Sequence, residues 1–183
     1  MVSGSRKEVS AASQKVEIYD SVQDDWLELK PINEGRHYHS STNFENKYVY
    51  IFGGIQNASK KYSNSVERLQ FSMATITTAK WEKINMIDNS LYAHGTPAIA
   101  ARQGAGMCQF SPDEIMIVGG FNGKFLPDYY TFKIDHNSGR FFNGQKAERQ
   151  NGNQNLFPFQ VPTVGDSKNR QVLSIDWSQM SLF

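Results

Sequence analysis

The sequence predicts an all-β chain assembled from repeated four-stranded units. Three observations predict it. Two apolar runs each end in a diglycine, Tyr48-Val-Tyr-Ile-Phe-Gly53-Gly54 and Ile115-Met-Ile-Val-Gly119-Gly120. An arginine stands 17 residues before the first glycine of each pair, Arg36 and Arg102, so both elements recur with one shift of 66 residues. The chain is also rich in aromatic residues, with 12 Phe, 8 Tyr and 3 Trp in 183 residues, and flat rings pack well on a pleated surface. A repeat found this way governs the fold, so it precedes any local assignment.

The first element is the segment Val16-Glu-Ile18-Tyr-Asp20, followed by Asp25-Trp26-Leu-Glu-Leu29. It has the two-residue alternation of strands and matches the back half of a unit whose front half is missing. Next come Arg36 and the run into Gly53 and Gly54, then the strand around Val66, Leu69 and Phe71, then Lys80-Trp81-Glu82. The second copy repeats this order with Arg102, Gly119 and Gly120, the strand Tyr130-Thr-Phe-Lys-Ile134, and Phe141-Phe142. Turn residues punctuate the runs at Asn33-Glu-Gly35, Ser111-Pro-Asp113, Asn122-Gly123 and Asn137-Ser-Gly139. The run before each diglycine is nearly all apolar, as expected of a strand buried on both faces. The glycines then allow positive φ and close approach of a neighbouring backbone, and Trp26 and Trp81 fall on outer strands, packing against the next sheet.

An arginine, small or polar residues, an apolar run closed by Gly-Gly, an aromatic strand and a tryptophan together resemble the kelch motif. The resemblance spans roughly residues 16–142 and implies four-stranded blades arranged radially in a β-propeller. The copies are 66 residues apart, longer than the ~50 typical of kelch repeats; the surplus falls in 56–63, 73–79 and 85–101. The expected organisation is a flexible arm over 1–15, a half blade over 16–32, blades over 33–84 and 102–144, and a half blade over 156–183. The residues from 145 to 155 read as a connector. Closed propellers typically have ~4–8 blades, so two whole and two partial blades predict a ring completed by more chain, another copy or a second protein.

Composition narrows the function. The net charge of +1 supplies no field for nucleic acid or an acidic membrane, and no apolar run approaches a membrane span. The single cysteine, Cys108, fits a reducing compartment, hence an expected cytoplasmic location, with cytoskeletal association as a variant. Cys108 reads as a buried structural thiol with no activating base. His37 and His39 share one strand face but lack further ligands, so no metal is predicted. No phosphate loop and no facing acid pair is visible, so neither catalytic residues nor a cofactor is predicted.

The expected function is therefore a non-enzymatic scaffold for another protein. In kelch substrate receptors the arginine opening the repeat lines the channel mouth and contacts acidic groups, so the resemblance offers Arg36 and Arg102 as contacts for an acidic peptide. The other reading is that they pair with carboxylates between blades and so stabilise the ring. Tyr62 and Phe125, on loops after the diglycines, are aromatic anchors for a partner. Two rival functions stand beside this: a permanent subunit of a large assembly such as a cytoskeletal or ciliary one, and a propeller enzyme of the galactose-oxidase or sugar-isomerase type.

Overall fold

A computed structural model describes residues 14–56, 61–72, 74–84, 99–139 and 141–148. The expected arm over 1–15, apart from its last two residues, and the expected half unit over 156–183 lie outside the described residues. Within them the chain is all-β, in several antiparallel sheets, none of which closes. Among the described residues no helix is long and apolar enough to cross a membrane.

The first hairpin pairs β1 (Val16–Asp20) with β2 (Asp25–Leu29). Asp20 starts its turn by accepting the Val22 N–H at 2.8 Å, the local bond that makes aspartate a turn former. β3 (Arg36–His37) then pairs with β6 (Ile55–Gln56). The middle sheet runs β4 (Ser40–Phe44), β5 (Tyr48–Phe52), β7 (Val66–Gln70) and β8 (Trp81–Ile84), in that spatial order. Glu45 and Asn46 both take φ of +52° in the β4–β5 connection, as a primed hairpin turn demands. The last sheet repeats the order with β9 (Gly106–Ser111), β10 (Glu114–Val118), β11 (Asp128–Ile134) and β12 (Phe141–Glu148). The unit expected over 102–144 thus extends to Glu148.

The middle sheet carries core on both faces because β5 is apolar at every position. Val49 and Ile51 face the first hairpin, in a cluster with Val16, Leu29, Ile32, Leu69 and Trp81. Tyr48, Tyr50 and Phe52 face the last sheet, against Ile115, Ile117, Tyr130, Phe132 and Phe141. Burying each such side chain stabilises the fold by ~1.5–3 kcal/mol. The tyrosines also satisfy their polar tips: Tyr50 Oη donates to the Gly139 carbonyl at 2.6 Å and Tyr48 Oη to that of Asn137 at 3.1 Å.

Three sequence expectations are corrected. β10 is buried on one face only: Ile115 and Ile117 are fully covered, while Glu114, Met116 and Val118 on the other face are half-exposed. The repeat predicts chemistry, but coverage depends on what neighbours the sheet. Trp26 is 52% exposed and lies on Tyr19 (ring centroids 5.3 Å apart) instead of packing against a sheet, whereas its counterpart Trp81 is buried. Cys108 is exposed, because it pairs with Met116 and shares that uncovered face.

A histidine joins the two four-stranded sheets at their turns. His136 Nδ1 lies 3.0 Å from Glu45 Oε2 and its Nε2 lies 2.9 Å from Asp113 Oδ1, while Lys47 Nζ donates to the His136 carbonyl at 2.5 Å. The hydrogen bonds to Asp113 and Glu45 raise the imidazole pKa above its usual value. A raised folded-state pKa gives stability that is fully present below the unfolded value of ~6.5 and is lost as pH rises through the folded one. The melting temperature is therefore expected to fall as pH rises above ~6.5, modestly because the site is exposed. His136→Gln should flatten that slope; an equal slope in both proteins would refute the assignment.

Candidate functional site

The segments around the two diglycines are joined by backbone hydrogen bonds, Gly54 N–H to the Arg102 carbonyl and Gln103 N–H to that of Phe121. Arg36, delivered by β3, is fully buried. Its Nη1 donates to the Gly53 carbonyl at 2.9 Å and its Nη2 to Glu67 Oε1 at 2.6 Å and Ser65 Oγ at 2.9 Å. Glu67, itself 0% exposed, accepts the Asn33 N–H and Nδ2 on its other oxygen, both at 2.8 Å. Arg102 repeats the arrangement: Nη1 donates to the Gly119 carbonyl at 2.8 Å and to Asp128 Oδ1 at 2.5 Å, and Nε to the Ala100 carbonyl at 2.9 Å. Burial alone would raise the Asp128 pKa, but the Arg102 hydrogen bond and charge hold it below the usual carboxylate range.

Each arginine thus fastens the loop that carries it to the diglycine turn and to a carboxylate on the neighbouring strand. This corrects the expectation that Arg36 and Arg102 meet an acidic peptide. Both are 0% exposed, and their guanidinium groups are engaged by groups of the same chain. The second sequence reading describes them better, with one change: Glu67 and Asp128 belong to the sheet that bears the fastened diglycine, not to a neighbouring one.

All four diglycine residues have positive φ: +69° at Gly53, +88° at Gly54, +60° at Gly119 and +100° at Gly120. Beyond them the loops bring aromatic rings together. Tyr62 lies edge-on to Phe121 at 6.3 Å, and Phe121 edge-on to Phe125 at 5.4 Å. The anchors expected from sequence, Tyr62 and Phe125, therefore share one cluster that spans loops of two sheets. Phe125 is 75% exposed. Phe121, which sequence reasoning missed, links them; its position directly after Gly120 was the available signal.

Tyr38 was missed as well. It is 68% exposed and has φ of +54°, a backbone conformation that disfavours a bulky L-residue. Its repeat counterpart is Gly104, at φ +58°. The two positions touch, Gly104 N–H donating to the Tyr38 carbonyl at 2.8 Å. Next to Gly104, Gln103 exchanges two 2.9 Å backbone bonds with Phe121, so Tyr38 and the ring cluster sit on linked backbone. His39 is held neutral, its pKa lowered by burial and then by the Arg36 charge. Nδ1 of His37, Nδ1 of His39 and Oε1 of Gln103 are buried without a hydrogen-bond partner among the described residues.

No protein-family model and no curated protein matches this chain.

Proposed function

We propose that the chain is a partial kelch-type propeller module that holds another protein, without catalysis, on the rim formed by Tyr38, Tyr62, Phe121 and Phe125. The observation that carries this reading is Tyr38. A tyrosine in left-handed backbone costs roughly 1–2 kcal/mol, and strain of this kind concentrates at functional sites. Here the ring it holds projects into solvent, at a position that the other copy of the repeat fills with glycine. The exposed Phe125 ring and the Phe121–Tyr62 pair lie on the adjoining loops, and rigid aromatics are the preferred anchors of protein interfaces. In support of the propeller architecture stand two meander sheets packed face to face, each with an arginine fastened to its diglycine. A cytoplasmic setting belongs to this proposal.

A permanent place in a larger assembly is the second reading, favoured by the half-exposed face of Glu114, Met116 and Val118.

The test pairs stability with binding. Tyr38→Gly should leave stability unchanged or raise it by up to ~1 kcal/mol, because relief of strain is partly offset by the greater freedom of glycine when unfolded. Partners cross-linked to the wild-type chain should be lost about tenfold with Tyr38→Gly and with Phe125→Ala, in line with interface anchors that contribute more than ~1 kcal/mol. A destabilised Tyr38→Gly would make Tyr38 a packing residue, and an unchanged set of partners would remove the rim as a binding site.

A further inference from the structure

The joint between the middle and last sheets is gripped by backbone atoms. Gly54 N–H donates to the Arg102 carbonyl at 2.8 Å, and Arg102 N–H donates to the Ser63 carbonyl at 2.9 Å. Ser63 and Gly54 are themselves tied, Ser63 N–H on the Gly54 carbonyl at 2.8 Å. One donor and one acceptor of the middle sheet therefore hold both backbone groups of a single incoming residue. Ile99, three residues earlier, is buried in the shared core.

The last sheet carries the same grip one repeat later. Leu126 N–H donates to the Gly120 carbonyl at 3.0 Å, so Leu126 stands to Gly120 as Ser63 stands to Gly54. Gly120 N–H and the Leu126 carbonyl occupy the gripping positions, and neither is bonded among the described residues. The space around the glycines agrees. A Cβ on Gly53 would meet the Arg102 carbonyl oxygen at 2.7 Å and that of Ser63 at 3.5 Å; on Gly119 it would meet the Leu126 oxygen alone, also at 3.5 Å. Beside the grip, Glu114, Met116 and Val118 are the repeat counterparts of Tyr48, Tyr50 and Phe52, but where those three are covered in the middle sheet these are half-exposed.

We propose that Gly120 and Leu126, with the face of Met116 and Val118 beside them, form a docking site for an extended segment of a partner polypeptide that carries this same repeat. The segment enters as residues 99–104 enter the internal joint: one residue gives its N–H to Leu126 and takes the Gly120 N–H, and an aliphatic side chain three positions earlier covers the apolar face. Such capture is strand addition in its energetics, with main-chain bonds supplying affinity and side-chain fit supplying selectivity. The site is separate from the aromatic rim and does not depend on it. A second copy of this chain fits less well than a partner. Its Arg102 segment is engaged internally, and docking its Arg36 segment would lay its β1–β2 hairpin onto β11 and β12. This follows because the hairpin lies against the Val49/Ile51 face of the middle sheet just as the middle sheet lies against the Ile115/Ile117 face.

The experiment titrates a synthetic peptide of residues 99–106 into the isotope-labelled full chain and follows backbone amides by NMR. The expected result is a saturable shift of the Gly120 amide. The same peptide N-methylated at its arginine, which loses the donor for Leu126, should bind about tenfold more weakly, the worth of one hydrogen bond. Several results would overturn the proposal. They are no saturable shift, equal binding of the methylated peptide, or a shift at Gly54 in place of Gly120, which would mean displacement of the chain's own segment. A Gly120 amide already protected from exchange in the peptide-free chain would also overturn it, by assigning the site to the chain itself when protection is independent of concentration and to a second copy when it grows with concentration.

Discussion

Replacing Glu67 by alanine is expected to cost about 3–5 kcal/mol, the loss found when one partner of a buried ion pair is removed. Both side chains of the Arg36–Glu67 pair are 0% exposed, at 2.6 Å. An arginine cannot shed its proton in a protein, so the variant must keep an uncompensated charge inside or open a path for water. The damage spreads, because the other carboxylate oxygen accepts two bonds from Asn33, and these hold the chain entering β3. Glu67→Gln keeps an acceptor but not the charge and should fall between the variant and the wild type. Single domains are stable by ~5–15 kcal/mol, so Glu67→Ala should approach the unfolding threshold. Urea unfolding measures the loss, with Glu28→Ala as reference: Glu28 pairs with Lys15 at 3.3 Å and both side chains are exposed, where a pair is worth ~0–1 kcal/mol. Equal losses at Glu67 and Glu28 would mean that the Arg36 charge is not sealed inside.

The parts of this structure that were legible in the sequence are those that both copies of the repeat share. Arg36 and Arg102 keep the same distance to their diglycines because each reaches a diglycine carbonyl, and that bond fixes the spacing. Their carboxylate partners were not legible. Glu67 lies 31 residues from its arginine and Asp128 only 26 from its own, since the loop between diglycine and strand differs in length, and one copy uses Glu where the other uses Asp. Tyr38 escaped notice for the opposite reason: the repeat puts a glycine in the matching place, so only the backbone angle exposes its cost. Cys108 and Trp26 were misjudged because burial is set by the neighbouring sheet, and alternation within a strand says only that two residues share a face. Loop position and aromatic character pointed to Tyr62 and Phe125, and the structure places both rings in one cluster with Phe121. Nothing in one copy of the motif could show that Arg102 sits inside a joint.

The two diglycines, alike in sequence, are expected to respond unequally to mutation. Gly53→Ala should cost about 3–4 kcal/mol and Gly119→Ala only about 1–2 kcal/mol, the latter being the strain of a side chain in left-handed backbone. Both have positive φ, +69° and +60°, so the strain is common to them. The difference lies in what a methyl group would meet. At Gly53 it would stand 2.7 Å from the Arg102 carbonyl oxygen, and that oxygen is held by Gly54 N–H. Relieving the clash means pulling Arg102 away from the joint that the middle and last sheets share, together with its ties to Gly119 and Asp128. At Gly119 the nearest atom is the Leu126 oxygen at 3.5 Å, an ordinary contact. Gly54→Ala supplies a second reading of the crowded joint, because its methyl group would stand 2.6 Å from the His37 carbonyl oxygen at φ +88°. Thermal or urea unfolding of the three variants gives the comparison directly. If Gly119→Ala proved as costly as Gly53→Ala, a backbone segment would have to cover Gly119 as Arg102 covers Gly53, and the grip at Gly120 and Leu126 would already be filled in the isolated chain.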